Sequence, residues 1–235
     1  MITQILLTPE DGKRLLAREL MRREDIQKAL FERTVVIIAG TTNAYVAEEA
    51  LEMIGDKAPF NREAFVRGVT RPADRDRQIF PPAEDVVIEK GKRREGLTIF
   101  DIAPSLSRGD VILKGANAVH LATRTAGVLI GSDVGGTLMP CIAAAVGRRV
   151  RLIVPVGVEK RVEKPIAELC RLANRADAEG PRMCEVPGEI YTELEALAPF
   201  EPEIFSSGGT EGYEGICRLL VQCGDAREIR DFLKR

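Results

Sequence analysis

One pattern restricts this chain more than any other: an apolar, β-branched run that breaks into small hydroxyl-bearing residues and then into a helix-like stretch. The first copy is Thr34-Val35-Val36-Ile37-Ile38-Ala39, then Gly40-Thr41-Thr42-Asn43, then residues 44–51. A later copy runs through residues 127–131, then Ser132-Asp133-Val134-Gly135-Gly136-Thr137, then residues 138–146. A buried strand feeding such a turn presents unpaired N–H groups, hydroxyls and the positive end of a helix dipole at one point, which is chemistry for holding an anion. An ordinary capping turn draws on the same residue types. Three consecutive side chains of the kind, Thr41, Thr42 and Asn43, exceed what a cap requires.

Further apolar runs at residues 111–113, 128–130 and 150–154 alternate with helical or turn segments. Continuous runs of this length fit a parallel sheet covered on both faces. The expected fold is therefore α/β, a mainly parallel Rossmann-like sheet with helices on both faces, plus a small C-terminal α+β region. The polar, glycine-containing turn at 177–181 divides an expected ligand-binding core, 1–176, from a region 177–235 that packs on or completes it. In finer detail, Thr8 and Pro9 open a helix reaching residue 31, and strands at 85–89 and 97–100 form a hairpin around a turn at 91–96. Residues 164–176 read as a helix with Ile166, Leu169, Cys170 and Leu172 inward, and a last helix starts at Asp225.

Lys114-Gly115-Ala116-Asn117 follows the 111–113 strand and would bring an ammonium and an amide to the carboxyl edge of the sheet, where ligands collect in open α/β folds. The expected ligand-binding set is thus Gly40, Thr41, Thr42, Asn43, Lys114, Gly115, Asn117, Gly135, Gly136 and Thr137.

Composition removes several alternatives. The 34 basic and 36 acidic residues leave a net charge of −2, so no overall field points to nucleic acid or an anionic membrane. No apolar stretch approaches the roughly 18 to 20 residues of a membrane span. Five irregularly spaced cysteines and no leader-like opening make a reducing cytoplasm the expected location. A single histidine and the lack of a Cys-x-x-Cys pair argue against a metal site, and no cofactor is expected.

The turn Gly40-Thr41-Thr42-Asn43 resembles the phosphate turn of ribose-5-phosphate isomerase, glucosamine-6-phosphate deaminase and the CoA-transferase-like proteins. Lys114-Gly115-Ala116-Asn117-Ala118-Val119 is similar to a Gly-Ala-Asp turn found in those isomerases. The same turn occurs in the sensor domains of sugar-phosphate-responsive repressors and in methylthioribose-1-phosphate isomerase with its initiation-factor relatives. Gly136-Thr137, the alanine-rich residues 138–145 and the strand ending at Pro155 follow in the order seen in the last group. The resemblance spans roughly residues 35–155. It implies a small phosphorylated ligand, isomerase-type proton transfer on a sugar phosphate, and a homo-oligomer.

Two departures bear on that chemistry. Thr42 replaces a glycine, which narrows the approach to the backbone. Asn117 stands where the family carries an aspartate, and an amide does not shuttle a proton at neutral pH. Asp133, and after it Glu159, are therefore the expected catalytic carboxylates. The alternative is a ligand-sensing or assembly protein that keeps the fold without the catalysis. CoA transfer would need a nucleophilic carboxylate in a glycine-flanked turn, and none stands out.

Among other residues, His120 and Cys141 read as packing groups, and residues 159–164 as a solvated charged turn. Arg67 and Arg71 could clamp a phosphate or decorate a charged loop. The glycine-rich residues 206–215 read as a hairpin or lid.

Overall fold

The computed structural model describes residues 1–67, 83–210 and 214–234. Its centre is a six-stranded mixed sheet. Four neighbouring strands run parallel: β2 (Thr34–Ile37), β5 (Val111–Leu113), β8 (Arg151–Pro155) and β10 (Glu189–Tyr191). On the other side of β2 the antiparallel pair β3 (Val86–Glu89) and β4 (Lys92–Arg94) completes the sheet.

Alternate residues of the central strands enter two separate apolar cores. Val35, Ile37, Val111, Leu113 and Ile153 face one side, with Leu16 and Leu20 of α1 (Pro9–Arg22), Ile26 and Leu30 of α2 (Glu24–Glu32), and Val46 and Leu51 of α3 (Asn43–Met53). Val36, Ile112, Leu152 and Val154 face the other, with Ile99 of the short α4 (Ile99–Ile102) and Cys141 and Ala144 of α5 (Leu138–Arg148). With both faces covered, every strand position gains from an apolar side chain, and the runs are unbroken for that reason.

Two antiparallel three-stranded sheets flank this centre. β1 (Ile2–Leu7), β12 (Cys217–Gln222) and β11 (Glu203–Ser207) join the two ends of the chain. β6 (Ala118–His120), β7 (Thr125–Ile130) and β9 (Arg182–Glu185) form the other, against which α6 (Ile166–Ala173) packs. The short α7 (Glu193–Ala196) follows β10, and α8 (Ala226–Lys234) ends the chain. Residues 177–235 are thus distributed over all three sheets: β9 beside β7, β10 beside β8, and β12 beside β1.

Several local expectations are corrected. The 128–130 run lies in β7, outside the parallel sheet. Only residues 121–124 separate it from β6, too few for a parallel crossover of a dozen or more residues, so the two strands pair as a hairpin. The expected hairpin near Gly91 exists, but its turn is Lys90-Gly91, both left-handed at φ 48° and 74°, and its second strand is β4. Residues 97–100 instead begin a helix, because Thr98 and Asp101 form a reciprocal capping box at the start of α4. The first helix breaks at Arg23, whose extended backbone reorients the chain so that α1 and α2 each bury an apolar stripe. In α6, Ile166 is buried while Leu172 is 49% exposed.

Candidate functional site

The carboxyl ends of β2, β5 and β8 open onto one cavity of about 110 Å³. Its walls are the turn Gly40-Thr41-Thr42 after β2, residues 114–117 after β5, Thr137 before α5, Val128 and Leu129 of β7, Arg67, and Lys160. Lys160 ends a 3-10 turn, Val158–Lys160, that follows β8. The residues that precede α3 and α5, Thr42 and Thr137, therefore line the same space, at the positive ends of two helix dipoles.

Charge distinguishes this cavity. Lys114 is 9% exposed, and among the described residues its Nζ meets only the Gly115 carbonyl, at 3.3 Å. Lys160 Nζ donates to Thr42 Oγ1 at 3.1 Å. Neither ammonium has a carboxylate within ion-pair distance among the described residues. Burial holds both below the ordinary lysine range. Arg67 is different, since Asp85 pairs with it at 3.0 Å. The Asp85 carboxylate is buried and also accepts from Ala39 N at 2.9 Å and Ile99 N at 2.7 Å. It holds the end of β2, the start of α4 and the guanidinium in one arrangement.

Asn117 extends the β6–β7 hairpin: its N–H donates to the Gly127 carbonyl at 2.9 Å, and its Oδ1 accepts from Leu129 N at 3.0 Å. Its Nδ2 makes no hydrogen bond to the described residues and belongs to a side chain on the cavity wall. The amide therefore contributes a donor where a carboxylate would have contributed a negative charge.

Gly40, Thr41, Thr42, Lys114, Gly115, Asn117 and Thr137 are thus brought together, and five other expected residues are not. Asn43 is fully buried below the turn, where Nδ2 donates to the carbonyls of Ile38 and Leu113, both at 2.8 Å. It clamps the ends of β2 and β5 and does not line the cavity. Gly135 and Gly136, left-handed at φ 76° and 57°, line the neighbouring groove. Asp133 is remote from the lysines: its side chain is 96% exposed and pairs with Arg182 at 3.1 Å. The turn through Gly135 and Gly136 leaves that carboxylate in solvent. Glu159 precedes Lys160 on the 3-10 turn but is not among the cavity-lining residues.

Three residues outside the expected set matter here: Lys160, Asp85 and Glu193. Lys160 belongs to the charged run after β8, whose place beyond a central strand puts it at the ligand edge, and there it lines the cavity. Glu193 is buried at the start of α7, where its Oε2 accepts from Val158 N at 2.8 Å. Burial, with a smaller contribution from Glu159, pushes its carboxyl up to about 7.

Cys141 is buried, its thiol pushed up to about 12 and donating to the Thr137 carbonyl at 3.0 Å, so it packs as an apolar group. His120 Nδ1 and Thr123 Oγ1 are 2.7 Å apart within the β6–β7 turn. Arg71 and residues 211–213 of the glycine-rich segment lie outside the described residues. Among the described residues, no group of three or more His, Cys, Asp or Glu side chains could hold a metal ion, and no helix is long and apolar enough to cross a membrane. The chain matches no protein-family model, no curated protein and no solved structure.

Proposed function

We propose that this chain binds a small phosphorylated metabolite, with the phosphate in the cavity at the carboxyl ends of β2, β5 and β8. The observation that carries the reading is the pair Lys114 and Lys160, two largely buried ammonium groups with no carboxylate within ion-pair distance among the described residues. Such groups are costly to bury unless an anion joins them. Thr41, Thr42 and Thr137, in the turns ahead of α3 and α5, and the Asn117 amide add neutral polar groups on the same walls. Four parallel strands ending at one edge support a Rossmann-like reading of the sheet, in which ligands sit at that edge.

Of isomerisation and ligand sensing, the geometry favours sensing or assembly. No carboxylate is among the described lining residues, Asn117 is an amide, and Asp133 faces solvent. An isomerase would have to move its proton through a lysine amine.

Calorimetric titration with inorganic phosphate and ribose 5-phosphate tests the binding, with thermal unfolding as a second measure. A hundredfold excess over Kd should raise the midpoint by about 5 to 10 °C. Absence of any binding or stabilisation by phosphorylated compounds overturns the proposal. Following the ribose 5-phosphate C2 proton in deuterated water separates the two uses, because only an isomerase exchanges it.

A further inference from the structure

We propose that the anion cavity is one end of a longer site whose other half accepts a planar, weakly polar ring, so that the ligand is a phosphate ester bearing an aromatic ring. This rests on the phosphate-binding reading above and specifies its substrate class.

Size gives the first reason. At about 110 Å³ the cavity is well under the roughly 300 to 1,000 Å³ typical of small-molecule sites, and it holds little more than the anionic group. Beside it runs a groove of about 540 Å³ that shares Arg67, Val128, Leu129 and Thr137 with the cavity. The two spaces meet along these residues, and a ligand anchored by its phosphate would extend into the groove.

The groove's chemistry gives the second. Phe100, Ile130 and Leu138 contribute apolar wall, and Arg67 is the one charged side chain among the described lining residues. A polyol would lose water there and find few partners in return. An aromatic ring would gain a face to pack on, since Phe100 is 53% exposed. Gly136, left-handed, leaves part of the groove wall without a side chain; among the described residues a methyl group there would meet nothing nearer than Ser132 Cβ at 3.7 Å.

The third reason is that the two halves are mechanically coupled. Asp85 pairs with Arg67 at 3.0 Å and accepts from the N–H of Ile99, the residue before Phe100, at 2.7 Å. One buried carboxylate thereby ties the backbone beside Phe100 to the guanidinium that borders both spaces.

The test is calorimetric titration of the full chain with inorganic phosphate, ribose 5-phosphate, phenyl phosphate and adenosine 5′-monophosphate. The ring-bearing probes should bind at least tenfold tighter than their ring-free counterparts. Phe100→Ala should remove most of that gain and leave inorganic phosphate and ribose 5-phosphate within twofold of the native chain. Because Phe100 is half exposed, the variant should fold, and an unchanged thermal midpoint would verify it; Phe100→Leu offers a second, volume-conserving probe. If ring-free phosphates bind and the ring adds nothing, or if Phe100→Ala weakens all four equally, the ring subsite is wrong while the phosphate site stands. If no phosphate compound binds, both fall.

Discussion

Lys160 Nζ donates to Thr42 Oγ1 at 3.1 Å, joining the turn after β8 to the turn that opens α3. The partner is a neutral hydroxyl, so the ammonium is positioned without being neutralised. Lys114, held among the described residues by the Gly115 carbonyl alone at 3.3 Å, is in the same state after the next strand. A side chain held this way lowers the stability of the empty protein and raises its affinity for an anion, and the two effects can be measured separately.

Replacing Lys114 by Met should separate them. The thioether side chain fills similar volume without a buried charge, so the ligand-free variant is expected to unfold at a temperature higher by a few degrees, about 1 to 2 kcal/mol. Phosphate affinity should fall at least tenfold. Since burial depresses the lysine, the unfolded chain binds more protons between the native-state value and 10.5, and stability rises with pH across that window. Lys114→Met should flatten the rise. Scanning calorimetry at pH 7 and 9.5 checks both effects, and a variant that binds phosphate as tightly as the native chain would remove Lys114 from the site.

Asn117→Asp addresses the amide. A carboxylate oxygen can still accept from Leu129 N, which Asn117 Oδ1 now does at 3.0 Å, so the hairpin should survive with little change in melting temperature. Phosphate binding should weaken at least tenfold at pH 7, because a donor becomes a like charge on the cavity wall. Asn117→Ala, in contrast, leaves the Leu129 N–H without its acceptor and should cost about 1 to 3 kcal/mol. Urea unfolding and titration of both variants distinguish the two roles; equal phosphate affinity in Asn117→Asp would show that the amide does not face the anion.

Much of the cavity was legible because its parts are local. Gly40-Thr41-Thr42 after one apolar run and Lys114-Gly115-Ala116-Asn117 after another signal strand ends that meet at a parallel edge, and they do meet. What escaped was set by pairing between distant segments. Residues 128–130 have the composition of a central strand, and only their four-residue separation from β6 decides that they form a hairpin. Asp85 reads as the polar start of a strand, and its grip on Arg67, Ala39 and Ile99 depends on three segments that the tertiary fold assembles. Asn43 shows the converse: the residue type was right for a ligand, but burial beneath the turn assigns its amide to the backbone of β2 and β5.

Asp133→Asn should be silent. With its side chain 96% exposed and its ion pair to Arg182 in solvent, the carboxylate contributes little to folding. Stability should stay within about 0.5 kcal/mol of the native chain and phosphate affinity within twofold. Any turnover found with a sugar phosphate should persist in this variant, whereas its loss would restore Asp133 as the catalytic group.

Glu193 makes a prediction about pH that is independent of any ligand. It is 2% exposed, accepts from Val158 N at 2.8 Å, and packs closely against Gly12 of α1. Burial, reinforced by Glu159, raises its carboxyl from 4.5 to about 7. Between those values the folded chain keeps the proton while the unfolded chain has released it. The native state then binds more protons, and stability falls as pH rises from 4.5 through about 7, levelling off above. Displacement of this size corresponds to roughly 3 kcal/mol at most. Glu193→Gln keeps an oxygen for Val158 N and never ionises, so it should match the native chain near pH 4.5 and exceed it at pH 8. Urea denaturation at the two pH values measures the difference; a native chain at least as stable as the variant at pH 8 would mean that Glu193 ionises in place, with Lys160 on the adjoining turn supplying its counter-charge.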